Sequence, residues 1–84
     1  MALDITSENG AAIAHISGEI DHHTARALRT DLDRFIIAMQ PDILAIDLSG
    51  ITFMDSSGIG LIMGRCKLMK ECGGRIEIRS PQPY

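Results

Sequence analysis

A nearly continuous apolar segment, residues 43–48, lies between two longer segments of helical periodicity and constrains the fold more than any other feature. A strand with one solvated face alternates apolar and polar residues, whereas an unbroken apolar run suits a strand that is buried on both faces. A buried strand between two helices predicts parallel neighbours, reached through helical crossovers. The 84 residues allow one domain of this kind, 1–84.

Two short apolar runs, residues 3–7 and 11–17, precede the first helical segment. Asn9-Gly10 between them favours a tight hairpin, because both residues accept positive φ. The segment 17–21 is expected to break the second strand, and the connection 49–55 is expected to follow the central one.

The first helix is predicted over residues 22–39, because apolar residues recur there at spacings of three and four. Asp21 or Thr24 is expected to cap its start, and Pro41 ends it. The predicted buried face consists of Ala25, Leu28, Leu32, Phe35, Ile36 and Met39.

The second helix is predicted over residues 56–72, and Gly73-Gly74 stops it. Its predicted buried stripe consists of Ile59, Ile62, Met63, Cys66 and Met69, with Leu61 and Leu68 on the opposite side. Gly60 and Gly64 lie within about 40° on the helical wheel. They indicate a flat strip, for which packing against a neighbouring element is favoured over a partner surface.

The strict alternation of residues 75–79 predicts a last strand, and residues 80–84, with two prolines, are expected not to extend it. The element order is therefore β-β-α-β-α-β. This order predicts an α/β fold with a mostly parallel four-stranded sheet, one antiparallel edge strand, and helices packed on the sheet.

The composition and the absence of certain motifs argue against several functions. The net charge of −3 and the scattered Lys and Arg residues argue against nucleic acid. No apolar run reaches the roughly 18 residues of a membrane span, and no signal peptide is evident, so a cytoplasmic location without membrane contact is expected. No Gly-x-Ser-x-Gly motif or zinc-type spacing occurs, so neither an enzyme nor a metal or other cofactor is expected. The residues of metal-ligating type are His15, His22, His23, Asp21, Cys66 and Cys72.

The segment 53–60 carries the main functional candidate, because it joins the buried strand to the second helix. In parallel sheets, sites form at the carboxyl ends of the strands. Ser56 is predicted at the N-cap position, where a hydroxyl is exposed and an added phosphate is tolerated. Simple helix capping and a functional serine both fit these residues.

Two segments together resemble the STAS family, and within it the anti-sigma factor antagonists of the sporulation type. They are Ser17-Gly18-Glu19-Ile20-Asp21-His22-His23-Thr24 and Thr52-Phe53-Met54-Asp55-Ser56-Ser57-Gly58. The resemblance covers nearly the whole chain, and Gly64-Arg65 and Gly73-Gly74 also match.

The resemblance implies a partner switch. An unphosphorylated antagonist binds an anti-sigma factor that is also a serine kinase, and so releases a sigma factor. Phosphorylation on the first serine of the Asp-Ser-Ser-Gly motif, here Ser56, ends binding, and a serine phosphatase reverses the modification. The partner-binding residues implied are Asp21, His22, His23, Thr24, Met54, Asp55, Ser56, Ser57 and Gly58.

The family domain normally continues with further helices beyond the position of Tyr84, so this chain is expected to be a C-terminally short STAS domain. Surface that those helices would cover is expected to be exposed, which favours a homo-oligomer or marginal stability. Two other functions stay open. One is a structural or scaffold STAS subunit of a larger signalling assembly, and the other is a STAS protein that handles a small ligand or lipid.

Overall fold

The computed structural model describes residues 2–79, so the predictions for residues 80–84 lie outside it. Its elements, in chain order, are β1 (Ala2–Glu8), β2 (Ala11–Ile20), α1 (His22–Met39), β3 (Ile43–Met54), α2 (Ser56–Glu71) and β4 (Arg75–Arg79). Every predicted element is present in the predicted order. No helix within these residues has the length and apolar character that crossing a membrane requires.

The four strands form one sheet in the order β1-β2-β3-β4. β1 pairs with β2 antiparallel through a turn at Asn9 and Gly10, whose φ angles are 51° and 80°. β2 pairs with β3, and β3 with β4, in parallel. The predicted mostly parallel sheet with one antiparallel edge strand is confirmed.

Both helices pack on one face of the sheet, where alternate residues of β2 and β3 enter the core. Ala12, Ala14 and Ile16 of β2 face α1 side chains that recur at helical spacing. The α1 residues of the core are Ala25, Leu28, Leu32 and Ile36, as predicted. Met39, predicted to join them, is instead 64% exposed in the last turn, and Phe35 is half-buried.

The two central strands are longer than predicted. β2 continues through the segment 17–21 to Ile20, and β3 continues through the predicted connection to Met54. Register shifts interrupt their pairing, and Gly18 takes a φ of 93°, so the apolar alternation that marks a regular strand is lost there. The strands nevertheless stay paired, which places their ends side by side.

The predicted buried face of α2 is right at Met69 and partly right at Ile62, which is half-buried against the core, but it is wrong at Ile59, Met63 and Cys66. The residues that pack inward are Gly58, Leu61, Arg65 and Met69, whereas Ile59 and Met63 are more than half exposed and Cys66 is exposed. Apolar residues surround this helix, so their spacing did not identify the packed side. A charged residue, Arg65, lies on that side because it pairs with Asp33 of α1.

The packing explanation for Gly60 and Gly64 is also wrong. A Cβ atom built at either position meets no atom within 4 Å, so no neighbouring element presses on this strip. The two glycines instead line a groove between α1 and α2.

Candidate functional site

The two segments singled out in the sequence meet at the carboxyl ends of the parallel strands β2 and β3. Ile20 and Met54 are register partners, and the Asp55 N–H donates to the Ile20 carbonyl oxygen at 3.1 Å. We call residues 19–24 the β2–α1 junction and residues 53–58 the β3–α2 junction. Because the strands are parallel neighbours, the starts of both helices lie at the same edge of the sheet.

The β2–α1 junction is closed by a reciprocal capping box. Asp21 is the N-cap of α1, and its Oδ1 accepts from the His23 and Thr24 N–H groups, both at 2.9 Å. The Thr24 hydroxyl in turn accepts from the Asp21 N–H at 2.9 Å and donates to the Glu19 carbonyl at 3.0 Å. These hydrogen bonds, of which the one from the Thr24 backbone N–H has the largest effect, hold the pKa of Asp21 below its ordinary value of 3.8. Its carboxylate is therefore ionised and fixed in place at neutral pH.

The β3–α2 junction is capped differently. Asp55, and not Ser56 as predicted, is the N-cap of α2, and its Oδ1 accepts from the Ser57 N–H at 2.8 Å. Ser56 is the first residue of the helix and is exposed, while Ser57 is half-buried. Neither hydroxyl makes a hydrogen bond to another residue between 2 and 79. The capping interpretation therefore belongs to Asp55, which leaves the Ser56 hydroxyl available for chemistry.

Gly58 sets how closely α2 approaches the end of β3. A Cβ atom at this position would lie 2.3 Å from Met54 Cγ and 2.5 Å from its Sδ, well inside van der Waals contact. The same atom would approach Ile20 Cγ2 to 3.3 Å. The absent side chain thus lets the first turn of α2 rest on the two strand ends.

The surface around Ser56 combines polar and apolar groups. Phe53 is 52% exposed, Met54 is 36% exposed, and Ile59 is exposed one turn into α2. His22 and His23 are exposed at the start of α1, with ring centroids 4.1 Å apart. Exposed aromatic and methionine side chains beside polar groups are typical of protein-binding surfaces.

The structure brings together all nine residues implied by the resemblance, since they lie on the two junctions. His15 is not among them. It lies on the sheet face that carries no helix, where its Nδ1 donates to Asp47 Oδ2 at 3.0 Å. The Ser49 backbone N–H, and also this histidine, hold the pKa of Asp47 below 3.8. Within residues 2–79, no three metal-ligating side chains lie close enough together to hold a metal ion.

Sequence reasoning missed the exposure of Phe53 and the charged groove between the helices. The groove is lined by residues of both helices, among them Arg26, Arg29 and Arg65. Two signals were available for it: Arg26 and Arg29, which lie three residues apart on α1, and the two glycines of α2.

Comparison with known proteins agrees with this geometry. The STAS domain family matches residues 2–84. An anti-sigma F factor antagonist of Paenibacillus polymyxa is 35% identical over 83 residues, which are 99% of this chain and 71% of that protein. An anti-sigma F factor antagonist of Lysinibacillus sphaericus is 32% identical over 84% of this chain, which spans 61% of the relative's length.

Solved structures show the same fold. The anti-sigma factor antagonist SpoIIAA in its unphosphorylated form superposes with a TM-score of 0.80 at 26% identity, covering 98% of this chain and 76% of that one. SpoIIAA in its phosphorylated form gives 0.79 at the same identity, covering 98% and 75%. The strand order, the two adjoining junctions and the match over residues 2–84 lead to one conclusion: the chain belongs to the STAS domain family.

Proposed function

We propose that this protein is an anti-sigma factor antagonist, a regulatory protein without catalytic activity, that is switched off by phosphorylation of Ser56. Unphosphorylated, it binds an anti-sigma factor that is also a serine kinase, and so releases a sigma factor. Its relatives of similar sequence carry the name anti-sigma factor antagonist, and SpoIIAA is known in phosphorylated and unphosphorylated forms.

The observation that carries the proposal is the state of the Ser56 hydroxyl. It is exposed in the first turn of α2, beside an N-cap role already filled by Asp55. A kinase therefore reaches it without breaking a hydrogen bond of the fold. The backbone N–H groups of the first helical turn also stabilise a nearby phosphate, by about 0.3–1 kcal/mol for an exposed charge.

Phosphorylation would change binding mainly through charge. A phosphoserine carries about −1.5 to −2 charges at neutral pH. An acidic group of the partner about 4 Å away would then be repelled by about 4 kcal/mol per charge pair at an effective dielectric constant of 20. Since about 1.4 kcal/mol is a tenfold change in affinity, a single phosphate suffices to release the partner without refolding the antagonist.

The partner surface in this proposal is formed by both junctions. The ionised Asp21, held by the capping box, and the exposed His22 and His23 supply polar contacts. Met54 and the more exposed Phe53 supply apolar area directly before the phosphorylated residue. Buried apolar anchors with polar groups around them are the usual source of affinity in protein complexes.

A phosphorylation assay tests the proposal. The chain and its Ser56→Ala and Ser57→Ala variants are incubated with ATP and a serine-kinase anti-sigma factor from the same genome, and intact mass and site mapping are measured. We expect one phosphate on Ser56, present in Ser57→Ala and absent in Ser56→Ala. Because both serines belong to the same helical turn, Ser57→Ala is the matched control.

Binding of the same kinase to both forms completes the test. Calorimetry should show binding of the unphosphorylated chain and at least tenfold weaker binding of the phosphorylated one. A serine phosphatase should then restore the original affinity. A phosphate on Ser57 alone, or equal affinities of both forms, would contradict the proposal. A folded chain that is not phosphorylated at all would favour a structural STAS subunit.

A second candidate property, self-association, is supported by the outer side of α2. Ile59 and Met63 lie one helical turn apart and are 55% and 67% exposed. Neighbouring apolar side chains of this size favour burial in an interface. We propose that they contact a second copy, so that sedimentation at micromolar concentration shows a dimer or larger species and Met63→Glu shifts it to the monomer. A monomeric wild type would overturn this part.

A further inference from the structure

We propose that the groove between α1 and α2 is a binding site for a phosphate group of a small molecule, separate from the phosphorylation of Ser56. This proposal does not depend on the proposed function, because it is argued from side chains of the helices rather than from the junction surface.

The groove has the size and shape of a ligand site. It is an open groove of about 420 Å³ that runs along the first turns of both helices, with Ser57 at one end. Gly60 and Gly64 form its floor on the α2 side, and the space above each is open to at least 4 Å. Volumes of about 300–1,000 Å³ are usual for small-molecule sites.

Arg65 supplies a buried, incompletely paired cation in the wall of the groove. Its side chain is 10% exposed, and its Nε lies 2.8 Å from Asp33 Oδ1, close enough for an ion pair. The two atoms do not meet hydrogen-bond geometry, and the buried Nη1 has no hydrogen-bond partner within residues 2–79. Nη1 is itself buried, so an oxyanion in the groove would contact the part of the Arg65 guanidinium that lines it, where the incompletely paired charge favours an anion.

Two further arginines from α1, Arg26 and Arg29, line the same groove. Neither has a carboxylate within 4.0 Å in the described part of the chain, and no acidic side chain is among the groove's lining residues. His22 adds a ring that carries positive charge when protonated. Asp33 partly neutralises Arg65, so the groove owes its positive charge mainly to Arg26 and Arg29, in a protein whose net charge is −3.

This arrangement favours a phosphate over a singly charged anion. Guanidinium groups present parallel donors that match two oxygens of a phosphate, and charge-assisted bonds of this kind are the strongest in proteins. Three guanidiniums on two walls match the several oxygens of one compact group. The open glycine strip leaves space for the remainder of a phosphate ester.

Nuclear magnetic resonance at constant ionic strength tests the proposal. The ¹⁵N-labelled chain is titrated with inorganic phosphate and, separately, with glycerol phosphate, while chloride is lowered to compensate. We expect saturable shifts centred on the amides of Ser57, Gly60 and Gly64. Stronger binding of glycerol phosphate would identify a phosphate ester as the ligand, and equal or stronger binding of inorganic phosphate would identify free phosphate.

The variants Arg26→Gln and Arg29→Gln remove one exposed cation each without touching the core. Each should weaken binding roughly tenfold, because one charged hydrogen bond is lost. Arg79→Gln is the matched control, since Arg79 is an exposed arginine of β4 outside the groove, and it should leave the affinity unchanged. Shifts that never saturate, or that all three variants reduce equally, would show general charge screening and overturn the site.

Discussion

The two junctions are built to the same plan but held by different forces. Each begins with an aspartate N-cap that follows a parallel strand, and the two are joined by the bond from the Asp55 N–H to the Ile20 carbonyl. At the β2–α1 junction the nearby hydroxyl, that of Thr24, is used twice in hydrogen bonds. At the β3–α2 junction the hydroxyls of Ser56 and Ser57 make none within the described residues, and the helix start is held by close packing instead.

This difference suggests a division of roles. A capping box fixes the position of Asp21 and its neighbours, so that one half of the surface is rigid and charged. Packing at Gly58 fixes the other half without using the serine side chains. A residue that is to be modified reversibly should not be needed for folding, because its modification would then alter stability as well as binding. The following predictions test this comparison, from the largest expected effect to the smallest.

The largest effect is expected at Gly58. An added methyl group would meet Met54, so overpacking in Gly58→Ala should destabilise the protein by about 1–3 kcal/mol. The better helix propensity of alanine should offset up to about 1 kcal/mol of this cost. Urea denaturation measures the change. If packing holds this junction, the double variant Gly58→Ala/Met54→Ala should recover most of the loss.

Gly60→Ala is the matched control for that experiment. A Cβ at Gly60 meets nothing within 4 Å, so alanine should be neutral or stabilise the helix by up to about 1 kcal/mol. Equal destabilisation by Gly58→Ala and Gly60→Ala would mean that close packing is not what distinguishes the β3–α2 junction.

A smaller effect is expected from removal of the two N-caps. Asp55 accepts one backbone N–H bond, so Asp55→Ala should cost about 1 kcal/mol. Asp21 accepts two and is part of a reciprocal box, so Asp21→Ala should lower the melting temperature further than Asp55→Ala. Thermal unfolding of both variants at neutral pH measures the two melting temperatures and so gives their order. The reverse order would show that the capping box does not make the β2–α1 junction the more firmly fixed of the two.

The contribution of the Asp21 charge should depend on pH. Its pKa is lowered in the folded protein, so its stabilisation is present above the ordinary value of 3.8 and is lost as pH falls through the folded pKa. Wild type should therefore be more stable than Asp21→Asn at neutral pH, and the difference should disappear in strong acid. Urea denaturation across this range measures it. If the stability difference between wild type and Asp21→Asn stayed constant into strong acid, the charge of Asp21 would not be its cause.

How far the sequence predicted this molecule differs between its two halves. The helix His22–Met39 and most of its buried face, all but Phe35 and Met39, were predicted because one apolar stripe, one cap and one proline agree. The same reasoning failed for α2, where apolar residues occur on every side and the packed side contains Arg65. Periodicity identifies a buried face only when the opposite face is polar.

The carboxyl ends of β2 and β3 show a second limit of prediction from the sequence, and so does the N-cap of α2. β2 extends through Gly18, and β3 extends through Ser49 and Gly50, although these residues favour turns. Each strand continues because the other supplies its hydrogen-bonding partners. Gly50 is also needed there, since a Cβ would lie 2.9 Å from that of Ser17. Tertiary pairing of this kind cannot be deduced from one segment alone. The candidate site residues were predicted by resemblance, while the role of Asp55 as the N-cap required the structure.

The smallest effect, and the most direct test of the comparison, concerns the hydroxyls. Ser56→Ala and Ser57→Ala remove no hydrogen bond within the described residues, so each should change the free energy of unfolding by less than about 0.5 kcal/mol. Thr24→Ala removes the acceptor for the Asp21 N–H and a bond to Glu19, and should cost about 1 kcal/mol.

Urea denaturation of these three variants compares the junctions with a single chemical change, the loss of one side-chain hydroxyl, although Thr24→Ala also removes a methyl group. If Ser56→Ala were as costly as Thr24→Ala, the Ser56 hydroxyl would be part of the fold, and its phosphorylation would alter stability together with partner binding. A neutral Ser56→Ala would show that the hydroxyl does not stabilise the fold, so that a phosphate on this residue acts through the charge and bulk that it adds. In that case phosphorylation of Ser56 would change partner binding without removing an interaction that stabilises the fold.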